Sequence, residues 1–364
     1  MPDPIVYLNK GLDVFSSILH EVGAEKVFIV TGKSSYVSVK ETIEKQLAGR
    51  DVYIFNEFEK NPQLNDIAAG IEQFNKYSPD VIVAVGGGTA IDIAKSIKYL
   101  SVQQDEIMRI IKGESKIENI SSIPLVVLPT TAGTGSEATH FSVIYIDKNK
   151  YSLAHENMKP DYVVLDPSLV ISMPRYVAAC TAFDALSQAL ESYWSRNASD
   201  ESKNFARESI NQVLPSLSES VNKPTFENKR PLVKGAYLAG KAIDITKTTA
   251  PHAISYSLTS YYGIAHGHAV ASLLAPTASV TYELGDMETK NVFNEIFTMF
   301  GCESVAEFSN KWKEMMRLCG LNPRLSEYGI DKDVVVNNVN SERLSGHPVV
   351  LNRNDIQRIV DAVV

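Results

Sequence analysis

Short apolar segments alternate with amphipathic segments over roughly the first 165 residues, and this rhythm constrains the fold more than any other feature. Buried strands are predicted at residues 26–31, 52–55, 81–85 and 124–128. Apolar residues at helical spacing predict helices at residues 36–48 and 64–77. Strands and helices in this order form βαβ units around a parallel sheet. We therefore expect the N-terminal half to be an α/β domain.

The second half of the chain is dominated by helical periodicity. Long helical segments are predicted at residues 176–197, 203–220, 227–247 and 288–319. The change follows the segment PDYVVLDPSLVISMP, so we predict an α/β domain over residues 1–168 and an all-helical domain over residues 169–364. Two domains also suit a length of 364 residues, at about 150 residues per domain.

The charge and composition of the chain exclude several classes of partner. A net charge of −8 gives no basic field for nucleic acid or for an anionic membrane surface. No apolar run reaches the length of a membrane-spanning helix, and the segment MPDPIVYLNKGLDVF lacks the apolar core of a signal peptide. The three cysteines (Cys180, Cys302 and Cys319) form no CxxC pair. We expect a cytoplasmic protein that acts on small molecules.

A glycine-rich turn stands in the segment VIVAVGGGTAIDIAKSI, where Gly86, Gly87, Gly88 and Thr89 link a strand to a helix. Glycines let the backbone approach a phosphate closely, and a helix N-terminus offers unpaired N–H groups. Thr89 is predicted to cap this helix, with Asp92 three residues later satisfying another backbone donor. A plain tight turn is the alternative, because the pattern differs from GxGxxG.

A second polar loop, PTTAGTGSEAT, follows the next predicted strand. It includes Thr130, Thr131 and Thr139, and it begins at the carboxyl end of a strand, where ligands bind in open α/β folds. A solvated connection is the alternative for this loop alone. Two such loops at the ends of two strands favour a nucleotide site.

Histidines are scarce but clustered in the helical half. His252, His266 and His268 lie within seventeen residues, while Asp184 and Gln188 stand four apart on one face of a predicted helix. Imidazole and carboxylate together suit a divalent transition metal. A polar turn at a helix end explains the histidine cluster equally well, so the residues alone leave both interpretations open.

GGGTAIDIAK together with PTTAGTGSEAT resembles the iron-containing (group III) alcohol dehydrogenase family, and the resemblance covers essentially the whole chain. It implies a Rossmann-like NAD(P)-binding α/β domain followed by an all-helical metal- and substrate-binding domain, the dehydroquinate synthase-like architecture. It also implies an NAD(P)-dependent oxidoreductase with one divalent metal, Fe²⁺ or Zn²⁺. The cofactor-binding residues predicted from the motifs are Asn61, Gly86, Gly87, Gly88, Thr89, Asp92, Thr130, Thr131, Thr139 and Lys150.

The chain departs from the family after the strand KVFIVT. The family commonly has an aspartate there that bonds the adenine ribose, whereas this chain has Gly32, Lys33, Ser34 and Ser35. Loss of a carboxylate and gain of a cation and hydroxyls suit the 2′-phosphate of NADP. NADP(H) is therefore predicted in preference to NAD(H), with a plain capped turn as the alternative.

The resemblance implies metal ligands in the second domain. The family uses an aspartate, a histidine four residues later and two histidines fourteen apart, which Asp184, His252 and His266 match. Gln188 replaces the other histidine. Gln188 is either a weak fourth ligand of the metal or an amide that contacts the ligands while a water takes the fourth coordination position. A third alternative is that the site has lost its metal. The sequence does not identify the metal.

Candidate residues for the chemistry itself lie near the histidines. Tyr256 stands where the family often has a second histidine and is a candidate proton donor, with His268 and a metal-bound water as its rivals. The alternative for His268 is a solvent-facing histidine or one whose hydrogen bonds are satisfied in the core. Lys247, in a Lys-Thr-Thr run before His252, is a candidate cation for an anionic substrate, or else a solvated helix end.

The segments DALSQALESYWS and KAIDITKTTAPHAISYSLTSYYGIAHGHA resemble the phosphonoacetaldehyde reductase (hydroxyethylphosphonate dehydrogenase) branch of the family. That resemblance implies reduction of a small aldehyde, with phosphonoacetaldehyde to 2-hydroxyethylphosphonate as the best candidate, by a homo-oligomer (a dimer or larger). Alternatives are a general short-chain alcohol, aldehyde or diol dehydrogenase, a non-redox cyclase of the dehydroquinate synthase type, and a metal-less binding protein.

Overall fold

A computed structural model describes residues 3–116, 118–147 and 149–364. The chain divides into two compact units. The first comprises the described residues up to Thr131 together with Gly135–Ser172, and the second comprises Ala132–Thr134 together with Met173–Val364. Residues 1 and 2, which open the segment predicted not to be a signal peptide, lie outside the described ranges.

The first unit is built on a six-stranded parallel sheet with the strand order β1-β8-β5-β4-β2-β3. Its strands are β1 (Ile5–Leu8), β2 (Lys26–Thr31), β3 (Asp51–Phe55), β4 (Val81–Gly86), β5 (Leu125–Pro129) and β8 (Tyr162–Leu165). Its helices are α1 (Asp13–Glu21), α2 (Lys33–Gln46), α3 (Leu64–Tyr77), α4 (Gly88–Leu100) and α5 (Ile107–Ile111). A separate antiparallel hairpin pairs β6 (Phe141–Ile146) with β7 (Asn149–Ala154).

Continuous apolar runs form the central strands because both faces of the sheet are covered. All six residues of β4 and all five of β5 are buried. Their side chains alternate between two apolar clusters, one on each face, as expected for a parallel sheet between helices. Strands β5, β4 and β2 are direct neighbours. The loops that follow Thr31, Gly86 and Pro129 therefore leave the same edge of the sheet.

The second unit is helical in its described residues and contains nine α-helices. They are α6 (Arg175–Trp194), α7 (Asp200–Asn222), α8 (Phe226–Thr246), α9 (Ala250–Tyr262), α10 (His266–Leu284), α11 (Met287–Met299), α12 (Val305–Leu318), α13 (Lys332–Asn337) and α14 (Arg353–Asp361). Helix α6 is buried along almost its whole length. It packs against α7, α8 and α10. The predicted fold class, an α/β domain followed by a helical domain, is confirmed.

One predicted element is wrong, since residues 288–319 are not a single helix. Gly301 adopts a left-handed backbone with a φ of 63°, which ends α11 at that turn. Ser304 then caps α12 by accepting a hydrogen bond from the backbone N–H of Glu307. Within the described ranges, no helix combines the length and apolar character that a membrane crossing requires.

Candidate functional site

The structure brings together three of the residues predicted as metal ligands, all within the second unit. Asp184 lies in α6, His252 in the first turn of α9, and His266 at the first position of α10. The Asp184 Oδ1 atom lies 3.3 Å from His252 Nε2 and 4.0 Å from His266 Nε2. One ligand atom from each residue lies within 4.8 Å of the other two. Two imidazoles and a carboxylate therefore converge on one point.

A glycine allows this convergence by letting α10 approach α6. A Cβ atom at Gly267 would lie 2.0 Å from the carbonyl oxygen of Cys180 and 3.1 Å from the Cβ of Asp184. Any side chain at Gly267 would push the two backbones apart, because the nearest obstacle is a main-chain oxygen. His266, the neighbouring residue, would then move away from Asp184.

Glu191 is a functional residue that the sequence reasoning missed. Its Oε1 bonds Nδ1 of His252, while its Oε2 accepts hydrogen bonds from the backbone N–H (2.6 Å) and the hydroxyl (2.9 Å) of Thr249. With Nδ1 engaged in this way, Nε2 of His252 points to Asp184, as in carboxylate–histidine–metal arrangements. The available signal was spacing: Glu191 follows Asp184 by seven residues, two turns along the same helix face.

The electrostatics of the cluster favour a cation. Burial alone lowers the pKa of His252, but charge and hydrogen bonding from Glu191 and Asp184 outweigh burial and raise the pKa to about 10. Two carboxylates buried together are costly without compensating positive charge. A divalent ion would neutralise both and leave His252 neutral, with Nε2 as a ligand. The residues present therefore fit a divalent metal such as Zn²⁺ or Fe²⁺.

Gln188 is buried one turn after Asp184 on α6. Its Nε2 donates to the carbonyl oxygen of Thr134 at 3.2 Å. Among the residues that the structure describes, its buried Oε1 has no hydrogen-bond partner. A buried acceptor in that state costs about 1–3 kcal/mol, which a bound metal would offset. Whether Gln188 is a ligand or supports the ligands from behind stays a prediction.

A cavity of about 200 Å³ lies beside Asp184 and His266. Its other walls are formed by residues of the same unit, namely Thr134, Tyr176, Val177, Cys180, Thr181, Ala265 and Gly267. Burial raises the pKa of the Cys180 thiol to about 12, so this thiol stays protonated and is a poor nucleophile. The volume suits a molecule of a few heavy atoms rather than a polymer.

Tyr256 lies beside His266, with their rings parallel within 2° and the ring centroids 6.0 Å apart. Its hydroxyl oxygen accepts a hydrogen bond from Nη1 of Arg343 at 3.3 Å. The phenol is thus next to a predicted metal ligand, and its role as proton donor stays a prediction. Arg343 was missed because it lies 87 residues after Tyr256 and belongs to no recognised motif.

The two other residues predicted for catalysis have different surroundings. His268 is buried, its Nε2 donates to the carbonyl oxygen of Asn322 at 2.7 Å, and its Nδ1 pairs with the hydroxyl of Tyr176 at 3.1 Å. Burial lowers the pKa of His268. The two ring nitrogens therefore tie α10 to α6, through Tyr176, and to the loop after α12, through Asn322.

Lys247 follows α8, and its side chain is exposed. Its backbone has φ 60° and ψ −179°, a region used almost only by glycine, at a cost of about 1–3 kcal/mol. This turn leads the chain to Thr249, which bonds Glu191. The roles of Lys247 and His268 in chemistry stay predictions.

The predicted phosphate loop is built from closely packed glycines in the first unit. A Cβ at Gly86 would lie 2.6 Å from the Cβ of Ala90, and one at Gly87 would lie 3.0 Å from Oγ1 of Thr131. Gly87, not Thr89 as predicted, is the N-cap of α4, and it has no side chain to cap the helix. Gly88 and Thr89 then form the first turn of α4. Packing explains part of the glycine content, and phosphate binding remains a prediction.

Helix α4 forms hydrogen bonds with the loop that follows β5. Asp92 accepts from the Ser136 hydroxyl at 2.5 Å and from the backbone N–H of Val143 at 3.1 Å. Lys95 donates to the carbonyl oxygens of Ser136 and Thr139. Asp92 and Thr139 are therefore engaged in shaping this loop, and their predicted contacts with a cofactor stay predictions.

The remaining predicted cofactor residues are spread over several loops of the first unit. Thr130 directly follows β5, and its buried hydroxyl has no hydrogen-bond partner among the described residues. Asn61 has a left-handed backbone with φ 68°, and Lys150 lies in β7.

The turn after β2 carries the residues predicted to select the cofactor. Gly32 is the N-cap of α2, with Lys33 and Ser34 exposed in the first turn of that helix. This turn follows Thr31, at the edge of the sheet shared with the loops after β4 and β5.

The chain matches two family descriptions that together cover most of its length. Residues 2–167 match "Iron-containing alcohol dehydrogenase", and residues 178–364 match "Fe-containing alcohol dehydrogenase family, C-terminal". Long-chain-alcohol dehydrogenase 1 of Geobacillus thermodenitrificans is 28% identical over 80% of this chain and 76% of its own length. The aldehyde-alcohol dehydrogenase of Streptococcus pneumoniae is 28% identical over 91% of this chain, which spans 40% of that longer relative.

Among solved structures, the sulfoacetaldehyde reductase of Bifidobacterium kashiwanohense in complex with NAD⁺ is similar to this chain. The two share 25% sequence identity with a TM-score of 0.91, over 100% of this chain and 97% of the other. The similarity therefore extends over both units.

Proposed function

The chain belongs to the iron-containing alcohol dehydrogenase family, and we propose that it reduces a small aldehyde to a primary alcohol with a nicotinamide cofactor and one divalent metal ion. The observation that carries this proposal is the convergence of Asp184, His252 and His266, with Glu191 fixing the orientation of His252. The cavity beside Asp184 and His266 has a volume suited to a substrate of a few heavy atoms.

The residues in and around the cluster have three tasks in the proposed reaction. Asp184, His252 and His266 hold the metal, and Glu191 keeps Nε2 of His252 directed at it. When bound, the metal supplies a Lewis acid for the carbonyl oxygen, and the reduced nicotinamide supplies the hydride for the carbonyl carbon. The proton that the oxygen needs comes from the hydroxyl of Tyr256, which lies beside His266.

Phosphonoacetaldehyde is the substrate that we propose first, with 2-hydroxyethylphosphonate as its product. The resemblance of the α6 and α8–α10 segments to the phosphonoacetaldehyde reductase branch supports this choice. The similarity to a sulfoacetaldehyde reductase also supports it, because sulfoacetaldehyde is likewise a two-carbon aldehyde with an anionic tetrahedral group. A general short-chain alcohol, aldehyde or diol dehydrogenase is the second candidate, because the family matches name alcohol dehydrogenases without an anionic substrate group.

The test is NADPH and NADH oxidation by the metal-loaded protein with phosphonoacetaldehyde, sulfoacetaldehyde, propanal and butanal. Oxidation with at least one aldehyde is expected, together with loss of both activity and bound metal in His252→Ala and His266→Ala. Unchanged turnover in both variants would overturn the metal site. A protein that binds metal and oxidises neither cofactor with any aldehyde would favour the cyclase or binding-protein alternatives.

We propose NADP(H) as the preferred cofactor because the turn after β2 presents Gly32, Lys33 and Ser34 and no carboxylate. The φ of Gly32 is −74°, which any residue adopts, and a Cβ there meets only the hydroxyl of Ser35 at 3.0 Å. Gly32→Asp should lower kcat/KM for NADPH relative to NADH by more than about tenfold through repulsion of the 2′-phosphate. Gly32→Asn is the uncharged control of equal size, and equal effects of the two would contradict the assignment.

The assembly and the cellular location remain predictions within this proposal. A homo-oligomer of two or more chains is expected from the family, and light scattering coupled to size-exclusion chromatography tests it. A cytoplasmic location is expected from the sequence, and fractionation of the source cell tests that.

A further inference from the structure

Arg343 places a permanent positive charge next to the predicted metal cluster. It lies in a short 3-10 helix, Ser341–Leu344. Its guanidinium carbon is 4.7 Å from the centroid of the Tyr256 ring, and its Nη1 donates to the hydroxyl of that tyrosine. The Tyr256 ring in turn lies 6.0 Å from the parallel His266 ring. Tyr256 is thus in contact with both His266 and Arg343.

On the basis of this proximity to Tyr256 and His266, we propose that Arg343 binds the anionic tetrahedral group of the substrate, a phosphonate or a sulfonate. This inference rests on the proposed aldehyde reductase function and names the class of substrate. It makes Arg343 a specificity-determining residue, which distinguishes acidic aldehydes from neutral ones.

The distances suit a two-carbon substrate. The centroid of the Tyr256 ring lies 6.0 Å from the centroid of the His266 ring and 4.7 Å from the guanidinium carbon of Arg343. The distance from that carbon to the His266 ring centroid is therefore at most the sum of these two distances. A two-carbon aldehyde with a tetrahedral acid group spans about 5 Å between its end oxygens. With a metal–ligand contact at one end and a hydrogen bond at the other, a molecule of this length is long enough to span that distance. Arg343 is not a wall of the cavity beside Asp184 and His266, so the acid group would extend beyond that cavity.

The charges support the same assignment. The chain has a net charge of −8, and the metal cluster contains the buried carboxylates Asp184 and Glu191. An anionic substrate therefore needs a local cation, and arginine is the side chain whose planar fork of donors best matches a tetrahedral oxyanion. Lys247, the cation predicted from the sequence, is exposed at the end of α8. Arg343 instead contacts Tyr256, which is directly beside His266.

The test compares acidic and neutral aldehydes in wild type, Arg343→Gln and Arg343→Lys. For Arg343→Gln, the ratio of kcat/KM with phosphonoacetaldehyde or sulfoacetaldehyde to kcat/KM with propanal should fall about 10- to 100-fold, mainly through a higher KM for the acidic aldehydes. Arg343→Lys should restore part of the loss. Arg353→Gln is the matched control, because Arg353 is an exposed arginine bonded to Asp333 and Asn337.

Calorimetric titration of the same proteins with 2-hydroxyethylphosphonate, 2-hydroxyethanesulfonate and 1-propanol measures recognition without turnover. Weaker binding of the two acids to Arg343→Gln, with the affinity for 1-propanol unchanged, supports the proposal. The acid that binds more tightly to the wild type shows whether the preferred group is a phosphonate or a sulfonate.

An equal loss of affinity for acidic and neutral ligands would overturn the proposal and make Arg343 a residue that positions Tyr256. A wild type that reduces propanal as well as the acids would overturn this inference alone, whereas a wild type that reduces no aldehyde would overturn the proposed function.

Discussion

At the scale of single residues, the orientation of His252 depends on Glu191. This carboxylate is fully buried and bonds both His252 and Thr249. Glu191→Gln keeps the size of the side chain but removes the charge that holds Nδ1–H of His252. We expect the affinity for Zn²⁺ or Fe²⁺ to fall about 10- to 100-fold, measured by competition with a chelating dye. Glu314→Gln, at an exposed position on α12, is the control, and equal affinities in the two variants would contradict the role of Glu191.

Gln188 allows a second prediction at the same scale. Its buried Oε1 has no partner among the described residues, so a metal that accepted this oxygen as a ligand would remove an energetic cost. Gln188→Leu should therefore lower metal affinity about tenfold, and Gln188→His should raise it, since imidazole is the better ligand for these metals. Metal titration of both variants decides. An unchanged metal affinity in Gln188→Leu would show that the Gln188 amide does not bind the metal and only supports the ligands.

The sequence alone identified Asp184, His252 and His266 because their types and spacing matched a known ligand pattern. It missed Glu191, whose one signal was its spacing of seven residues from Asp184, and it held no signal for Arg343, because the contacts of both residues arise from packing between segments far apart in the chain. Glu191 meets His252 across 61 residues, and Arg343 meets Tyr256 across 87 residues. The predicted cap at Thr89 was wrong because α4 begins at Gly88 with Gly87 as its N-cap, where backbone geometry rather than a side chain sets the boundary.

At the scale of elements, the metal cluster depends on how closely α10 approaches α6. In Gly267→Ala the new Cβ would lie 2.0 Å from the carbonyl oxygen of Cys180, and main-chain atoms cannot rotate away. We expect metal affinity to fall more than about tenfold and the free energy of unfolding to fall by about 1–3 kcal/mol. Metal titration and urea denaturation measure the two effects.

Gly235→Ala on α8 is the matched control, because its Cβ would lie 2.4 Å from Val213 on α7, away from the predicted ligands. It should lose stability by overpacking while keeping its metal affinity. If Gly267→Ala kept wild-type affinity, the contact between the helices would not determine the site.

The order of elements was readable from the sequence, and several boundaries were not. The segment at residues 64–77 was predicted with both ends as observed, because apolar periodicity and flanking turn residues agreed there. The segment at residues 288–319 kept helical periodicity across a break at Gly301, so the pattern hid the end of α11 and the start of α12. Periodicity reports which face is buried, whereas caps and left-handed residues decide where a helix ends.

At the scale of the whole molecule, the predicted tasks are divided between the two units. The metal cluster lies entirely in the second unit, whereas Gly32, Gly86 and Thr130 lie in the first. The net charge of −8 gives the chain no overall basic field, but a sum over the chain says nothing about the local field of Arg343. In the proposed function, Arg343 supplies locally the positive charge that the whole chain lacks.

The division predicts where each ligand slows hydrogen exchange. A ligand that binds only the native state stabilises it by about 2.7 kcal/mol at 100 times its Kd, first in the segments that it touches. Added Zn²⁺ should therefore slow amide exchange in α6, α9 and the start of α10, and NADPH should slow it in the loops after β2 and β4.

Residues 132–134 are left out of the comparison, because they group with the second unit although the loop begins in the first. His252→Ala is the control, which should lose the effect of Zn²⁺ and keep that of NADPH. Protection by Zn²⁺ confined to the first unit would contradict the metal site, and protection by NADPH confined to the second would contradict the cofactor loops.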